Sequence, residues 1–268
     1  MSDSSRTVSG SLPNRFNKPG ILTYILFVSV TAFAIASINH VDLSFDRLAR
    51  GLPGILRILD QMFPPDIDRL GSIGKALLET FQMAVLGTIL GVIISVPMAI
   101  LAARGLSPHP LVYHTTRSVI SFFRTVPDLI WALFFVIAVG LGPAAGTLAI
   151  MIDTIGFCGR FFAEAMEETD KGPREALSAI GASRTGMIFS AVIPQAFPSF
   201  IATALFSLEK ATRSSVVLGL VGAGGIGIEL KVAMDLFSYD LACTIIIMVF
   251  LLVLVVERGS SWLRAQIL

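Results

Sequence analysis

Several charged residues stand inside apolar stretches of this chain, and their spacing limits the chemistry open to them. Arg124 and Asp128 lie four residues apart with Pro127 between them, Arg160 and Glu164 lie four apart, and Asp153 stands alone. A charge in a membrane helix is costly, so it usually turns to the bundle interior or a water-filled cavity and finds a partner. Positions i and i+4 are neighbours on a helix, so each spaced pair can neutralise itself along one face. Arg160 and Glu164 read foremost as a structural ion pair. For Arg124, Asp128 and Asp153, a structural role and a place on a solute path stand level.

Other chemistries find no support. The three histidines, His40, His109 and His114, fall in connections, and Cys158 and Cys243 fall in apolar runs, so no metal-ligand spacing and no disulfide is expected. No G-x-x-x-x-G-K-[ST] loop is present to cradle nucleotide phosphates, and no serine is matched with a histidine and carboxylate for nucleophilic catalysis. A literal G-x-G-x-x-G does occur, at Gly222, Gly224 and Gly227. A dinucleotide site would need a strand before it, a soluble βαβ unit and an acidic residue about twenty positions on. The flanks here are apolar runs of membrane length. The stretch Arg213–Gly227 is therefore expected to be tightly folded backbone between two membrane helices, facing protein or a water cavity rather than lipid.

The elements that must position these groups are membrane helices. Of the 268 residues 54% are hydrophobic and only 15% charged, with a mean hydropathy of +0.80, against roughly 25% charged in soluble domains. A net charge of +1, with Lys and Arg scattered singly, gives no support to a nucleic-acid partner. Six crossings are expected, at 21–38, 77–103, 118–139 with an interruption at Thr125-Val126-Pro127, 144–166, 187–208 and 241–256. Gly87 and Gly91 give the second crossing a close-packing face, and Pro97 a kink. Residues 1–19 read as a cytoplasmic tail, 41–76 as an external segment with an amphipathic helix, and 259–268 as a cytoplasmic tail. Basic residues in short connections put both termini and residues 170–195 on the cytoplasmic side.

That last stretch holds the most specific pattern. Glu175, Ala176 and Ala179 at helical spacing form a short helix with a small-residue face. Pro173 suits its first turn, and Gly181 lets the backbone reverse at its end. Pro194 then falls in the first turns of the next apolar run. This arrangement resembles the EAA loop of ABC importer permeases, with Glu175, Ala176, Gly181 and Pro194 matching. Leu177 stands for the usual second alanine, and Ala191 and Ile193 for the usual Ile and Leu. Three further stretches sharpen the likeness: Arg213–Gly227, Phe122–Leu133 and Phe161–Ala165 resemble the permease of phosphonate ABC importers, within a similarity running from about Leu77 to Val256.

The resemblance implies an all-α, polytopic transmembrane domain of the type I importer architecture and a transporter rather than an enzyme. It implies a homodimer, two separate ATPase subunits that bind ATP and Mg, and an external phosphonate-binding protein. No cofactor would be held by this chain itself. Glu175, Ala176, Ala179, Gly181 and Pro194 would couple to the ATPase. An anionic solute needs positive or amide-lined surface on its path, which puts forward Arg124, Lys210 and Arg213. Asp128, Asp153, Gly222, Gly224 and Gly225 complete the candidate pathway or gate. Phosphate, phosphite or methionine remain alternative solutes, and a secondary carrier, a channel or a membrane enzyme alternative classes.

Overall fold

A computed structural model describes residues 20–40 and 45–267, which form helices with no strand among them. The expected tail at 1–19 lies outside the described residues. The chain divides into two units, Met1–Arg57 and Ile58–Leu268.

The first unit carries α1, Ile21–His40, and most of α2, Phe45–Gln61. α1 is apolar on all sides, as a lipid-facing helix must be. In α2, Leu52, Ile55, Leu56 and Leu59 share one face while Asp46, Arg50 and Arg57 share the other, the expected amphipathic form.

The second unit is a bundle around α6, Pro143–Glu167, against which α3, α4, α5 and α9 pack. α3 runs over Leu70–Ala102, seven residues longer at its start than the apolar run alone predicts. The extension is explained by Ile73, which is buried among Ile226, Ala233, Leu241 and Ile245. Gly87 and Gly91 do form the close-packing face. A Cβ on Gly87 would lie 2.8 Å from the Ile150 side chain of α6, and one on Gly91 2.5 Å from Thr154. The chain stays helical through Pro97.

The expected third crossing is two helices instead of one. α4, Pro110–Thr125, and α5, Asp128–Val139, meet at 91°. Pro127 has no amide to donate, and it forces Val126 before it into extended backbone (φ −77°, ψ 121°). α7 spans Lys171–Ala179 and α8 Arg184–Met187; a π-helical turn, Ile188–Val192, leads into α9, Ile193–Gly219. α10, Ile226–Asp235, follows a tight turn, and α11 spans Tyr239–Ile267, so residues 259–267 continue its helix. Among the described residues, four helical runs are long and apolar enough to cross a membrane: α3, α6, Arg184–Gly219 and α11. The α4–α5 pair makes a fifth, bent candidate, and α1 is a shorter apolar helix.

Candidate functional site

The segment between α6 and α9 is fastened at both ends and bare between them. The Asp170 carboxylate accepts from the Gly172 amide at 3.1 Å and so caps α7, while its own amide donates to Gln195 Oε1 at 3.1 Å. Pro173 sits in the first turn, where no amide is needed. At the far end Gly181 takes a φ of +77°, which lets its amide and that of Ala182 close back on Ser178 and Leu177. Ser183 caps α8, and the Arg184 guanidinium donates to the carbonyls of Gly105 and Ser107. No residue of α7 is buried. Ala176 and Ala179 are exposed, and Ile180 beside them is 79% exposed. Glu175 lines a cleft of about 580 Å³ together with Arg104, Glu167, Lys171 and Arg174. Pro194 is the second residue of α9, directly after the π turn. The result is a short helix with a small-residue surface that no described residue of the chain buries.

The charges midway along α6 form a second locality. Lys210 of α9 reaches across to Asp153, its Nζ 2.8 and 2.9 Å from the two carboxylate oxygens. One turn away on α9, Ser207 donates to Thr154 at 3.3 Å. A lone charge at a helix centre costs about 2.5–3.5 kcal/mol on insertion scales, and the pair offsets much of that for both residues. Arg160 and Glu164 pair at 2.8 Å along α6, as their spacing predicts. Arg124 and Asp128 do not pair. The 91° bend takes them off any common face, and the Asp128 carboxylate accepts instead from the Leu129 amide at the start of α5. Arg124 lies over the Phe161 ring at 5.8 Å, and Lys210 over the Phe157 ring at 5.4 Å. The bend rests against α6 at Gly156, where a Cβ would lie 2.7 Å from the Arg124 amide. Arg213 is exposed on α9, one turn from Lys210.

The glycine stretch divides into three parts. Arg213–Gly219 ends α9, residues 220–225 turn, and Ile226 begins α10. Gly222, Gly224 and Gly225 all have positive φ (+89°, +91° and +74°). The Gly225 amide donates to Glu79 Oε1 at 2.9 Å and the Ile226 amide to Thr80 Oγ1 at 2.7 Å, so α3 supplies the cap of α10. A Cβ on Gly224 would meet Pro143 at 2.7 Å, and the Gly142 amide donates to the Gly222 carbonyl. Close backbone approach is therefore what the glycines provide, as expected, but the helix that follows them was not foreseen.

Residues 95–267, more than half of the chain, match the family described as binding-protein-dependent transport system inner membrane component. The chain belongs to that family. It is 38% identical over 97% of its length to the phosphate-import permease protein PhnE of Mycolicibacterium smegmatis, covering 48% of that relative. It is 42% identical over 85% of its length to the putative phosphite transport system permease protein HtxC of Stutzerimonas stutzeri, covering 80% of it. Its fold matches an inward-facing structure of the MetNI methionine ABC transporter with a TM-score of 0.67 at 21% identity, over 76% of this chain and 99% of that one. The all-α, type I importer architecture is thus the observed one, and the chain is a transport permease of a membrane, not an enzyme family member.

Within this permease three fastenings were not anticipated from sequence. Arg264 near the end of α11 lies 2.8 Å from the Glu209 carboxylate of α9. Glu167, at the end of α6, accepts from the Arg104 amide at 2.7 Å and pairs with Arg117 at 3.3 Å. Glu79 and Thr80 hold the glycine turn. Glu79 and Glu209 carried a local signal, each a carboxylate within a largely apolar helix.

Proposed function

We infer that this chain is the membrane permease of an ATP-driven importer of phosphorus oxyanions, with phosphonate the foremost solute and phosphite and phosphate close to it. It works as a homodimer with two separate ATPase subunits and receives solute from an external binding protein. The observation that carries the coupling part is α7, a capped helix with an exposed small-residue face bearing Glu175, in the segment that resembles the EAA loop. ATP-driven closure of the ATPase pair pushes on Glu175–Gly181, the rigid turns at Asp170 and Gly181 pass the push to α6 and α9, and the solute path opens alternately to the two sides. The solute class rests on relatives named for phosphate and phosphite import, and on the cationic side chains of Arg124, Lys210 and Arg213, which suit an anion. α7 and both termini face the cytoplasm, in accord with the distribution of Lys and Arg.

The test is reconstitution of the chain in lipid vesicles with its cognate ATPase and binding protein, followed by measurement of ATP hydrolysis with methylphosphonate, phosphite, phosphate and methionine. Stimulation by a phosphorus oxyanion that requires the binding protein is expected. Stimulation by methionine alone overturns the solute class, and failure of any ATPase to bind overturns the assignment of α7.

A further inference from the structure

An aromatic groove midway along α6 is lined by one cation, Arg264, and two more, Lys210 and Arg124, lie over the rings of its Phe157 and Phe161; the three are not equally engaged. The groove, of about 350 Å³, is lined by Phe157, Phe161, Thr203, Phe206 and Arg264. Phe157 stacks on Phe206 at 5.7 Å and packs against Phe161 at 4.7 Å, so the aromatic surface joins α6 to α9. Arg264 is held by Glu209, and Lys210 by Asp153. Arg124 rests on Phe161 and forms no ion pair with any described carboxylate. Of the three cations near these rings, two are thus paired with carboxylates and Arg124 is not.

We propose that Lys210 and Arg124 are the oxyanion-binding groups of the translocation path, and that the Asp153 carboxylate occupies the Lys210 ammonium when no solute is present. This rests on the phosphorus-oxyanion reading above. Both oxygens of Asp153 lie within 2.9 Å of Nζ, the distances at which oxygens of a phosphonate or phosphite would sit on the same ammonium. A passing oxyanion exchanges with Asp153 for Lys210 and takes its second contact from Arg124. An occupied Lys210 in the resting path offsets the cost of a bare charge there and keeps solute binding weak enough for release. Ser207 and Thr154, hydrogen-bonded to each other beside the pair, keep α6 and α9 in register while the ammonium changes partner.

A structural ion pair would show the same distances, so the test separates packing from binding. The reconstituted complex is assayed for uptake of radiolabelled methylphosphonate, phosphite and phosphate as wild type, Lys210→Arg, and the neutral double variant Asp153→Asn with Lys210→Gln. The double variant removes both charges together and so leaves no bare charge in the bundle. The expected result is a normally assembled double variant with uptake reduced about tenfold or more, and Lys210→Arg retaining most of it. Equilibrium binding of methylphosphonate to the complex in nanodiscs, without the binding protein, should be several-fold tighter in Asp153→Asn than in wild type and lost in the double variant. A double variant that transports like wild type overturns the assignment of Lys210. Unchanged binding in Asp153→Asn overturns the exchange with Asp153. If wild type takes up none of the three oxyanions, the importer reading of its solute fails instead, and the two failures are thereby told apart.

Discussion

Residues 219–227 and residues 168–183 are both short glycine-bearing reversals between helices, and the chain builds them in different ways. The first turns by closing the amides of residues 220–223 on carbonyls just before them, but it is pinned from outside itself: α3 supplies the acceptors for the Gly225 and Ile226 amides, and α6 begins against its backbone. The second is shaped chiefly by its own residues, Asp170 at one end and Gly181 at the other, with one tie to Gln195 of α9, and leaves α7 without a buried side chain. A reversal locked by long-range contacts is a part of the core; one locked locally can present a face to another subunit and move with it. The difference teaches that positive-φ glycines by themselves do not mark a moving part.

The largest effect is expected where the first reversal is tightest. A Cβ on Gly227 would lie 2.1 Å from the Val216 carbonyl and 2.7 Å from Gly219. Gly227→Val should cost about 3 kcal/mol or more through overpacking, seen as loss of the monodisperse, folded peak in detergent. Gly181, with nothing within 4 Å of a built Cβ, should tolerate alanine at only the left-handed penalty of about 1–2 kcal/mol. Equal stability of the two variants would break the comparison. Next comes Glu79→Ala, which strips the Gly225 amide of its charged acceptor. A loss of about 2 kcal/mol is expected, read as a lower Tm together with faster hydrogen exchange at Gly225. An unchanged Tm would mean that the turn is held by packing alone.

The same contrast explains what could be read in the sequence. α7 was legible because most of what shapes it is local: Asp170, Pro173 and Gly181 stand within a dozen residues. α10 was not, because Gly225 occupies the position where a Ser, Thr, Asp or Asn would announce a helix start, and the capping groups lie 146 residues away. Asp153 was singled out as a charge needing a partner, but Lys210 is 57 residues distant and only the packing of α6 on α9 joins them. Arg124 and Asp128 were placed on one face by counting four residues, and Pro127 invalidates the count by ending the helix between them. The bundle was legible as apolar runs; its break at Val126–Pro127 shows there as an interruption, though not as a right-angle turn.

Two smaller effects probe the exposed reversal. Glu175→Lys alters a solvent-facing side chain beside Arg104, Lys171 and Arg174. Tm should stay at the wild-type value while uptake by the reconstituted complex falls about tenfold. A comparable fall in Tm would instead make Glu175 a structural residue of the cleft.

The smallest effect is the most specific. Asp170→Ala removes the side-chain acceptor of the Gly172 amide but leaves the main-chain amide that donates to Gln195. Loss of a helix N-cap costs about 1 kcal/mol. Because α7 buries nothing, that cost should appear as local opening of α7 rather than as unfolding of the bundle. Hydrogen exchange across the first turn of α7 should therefore quicken about fivefold while Tm is unchanged, and Asp170→Asn, which keeps an acceptor oxygen, should restore the slow rate. A drop in Tm with Asp170→Ala would show that α7 opens only together with the bundle. In that case the two reversals, however differently they are fastened, would belong to one cooperative unit, and coupling would have to run through rigid rotation of the whole segment rather than through α7 alone.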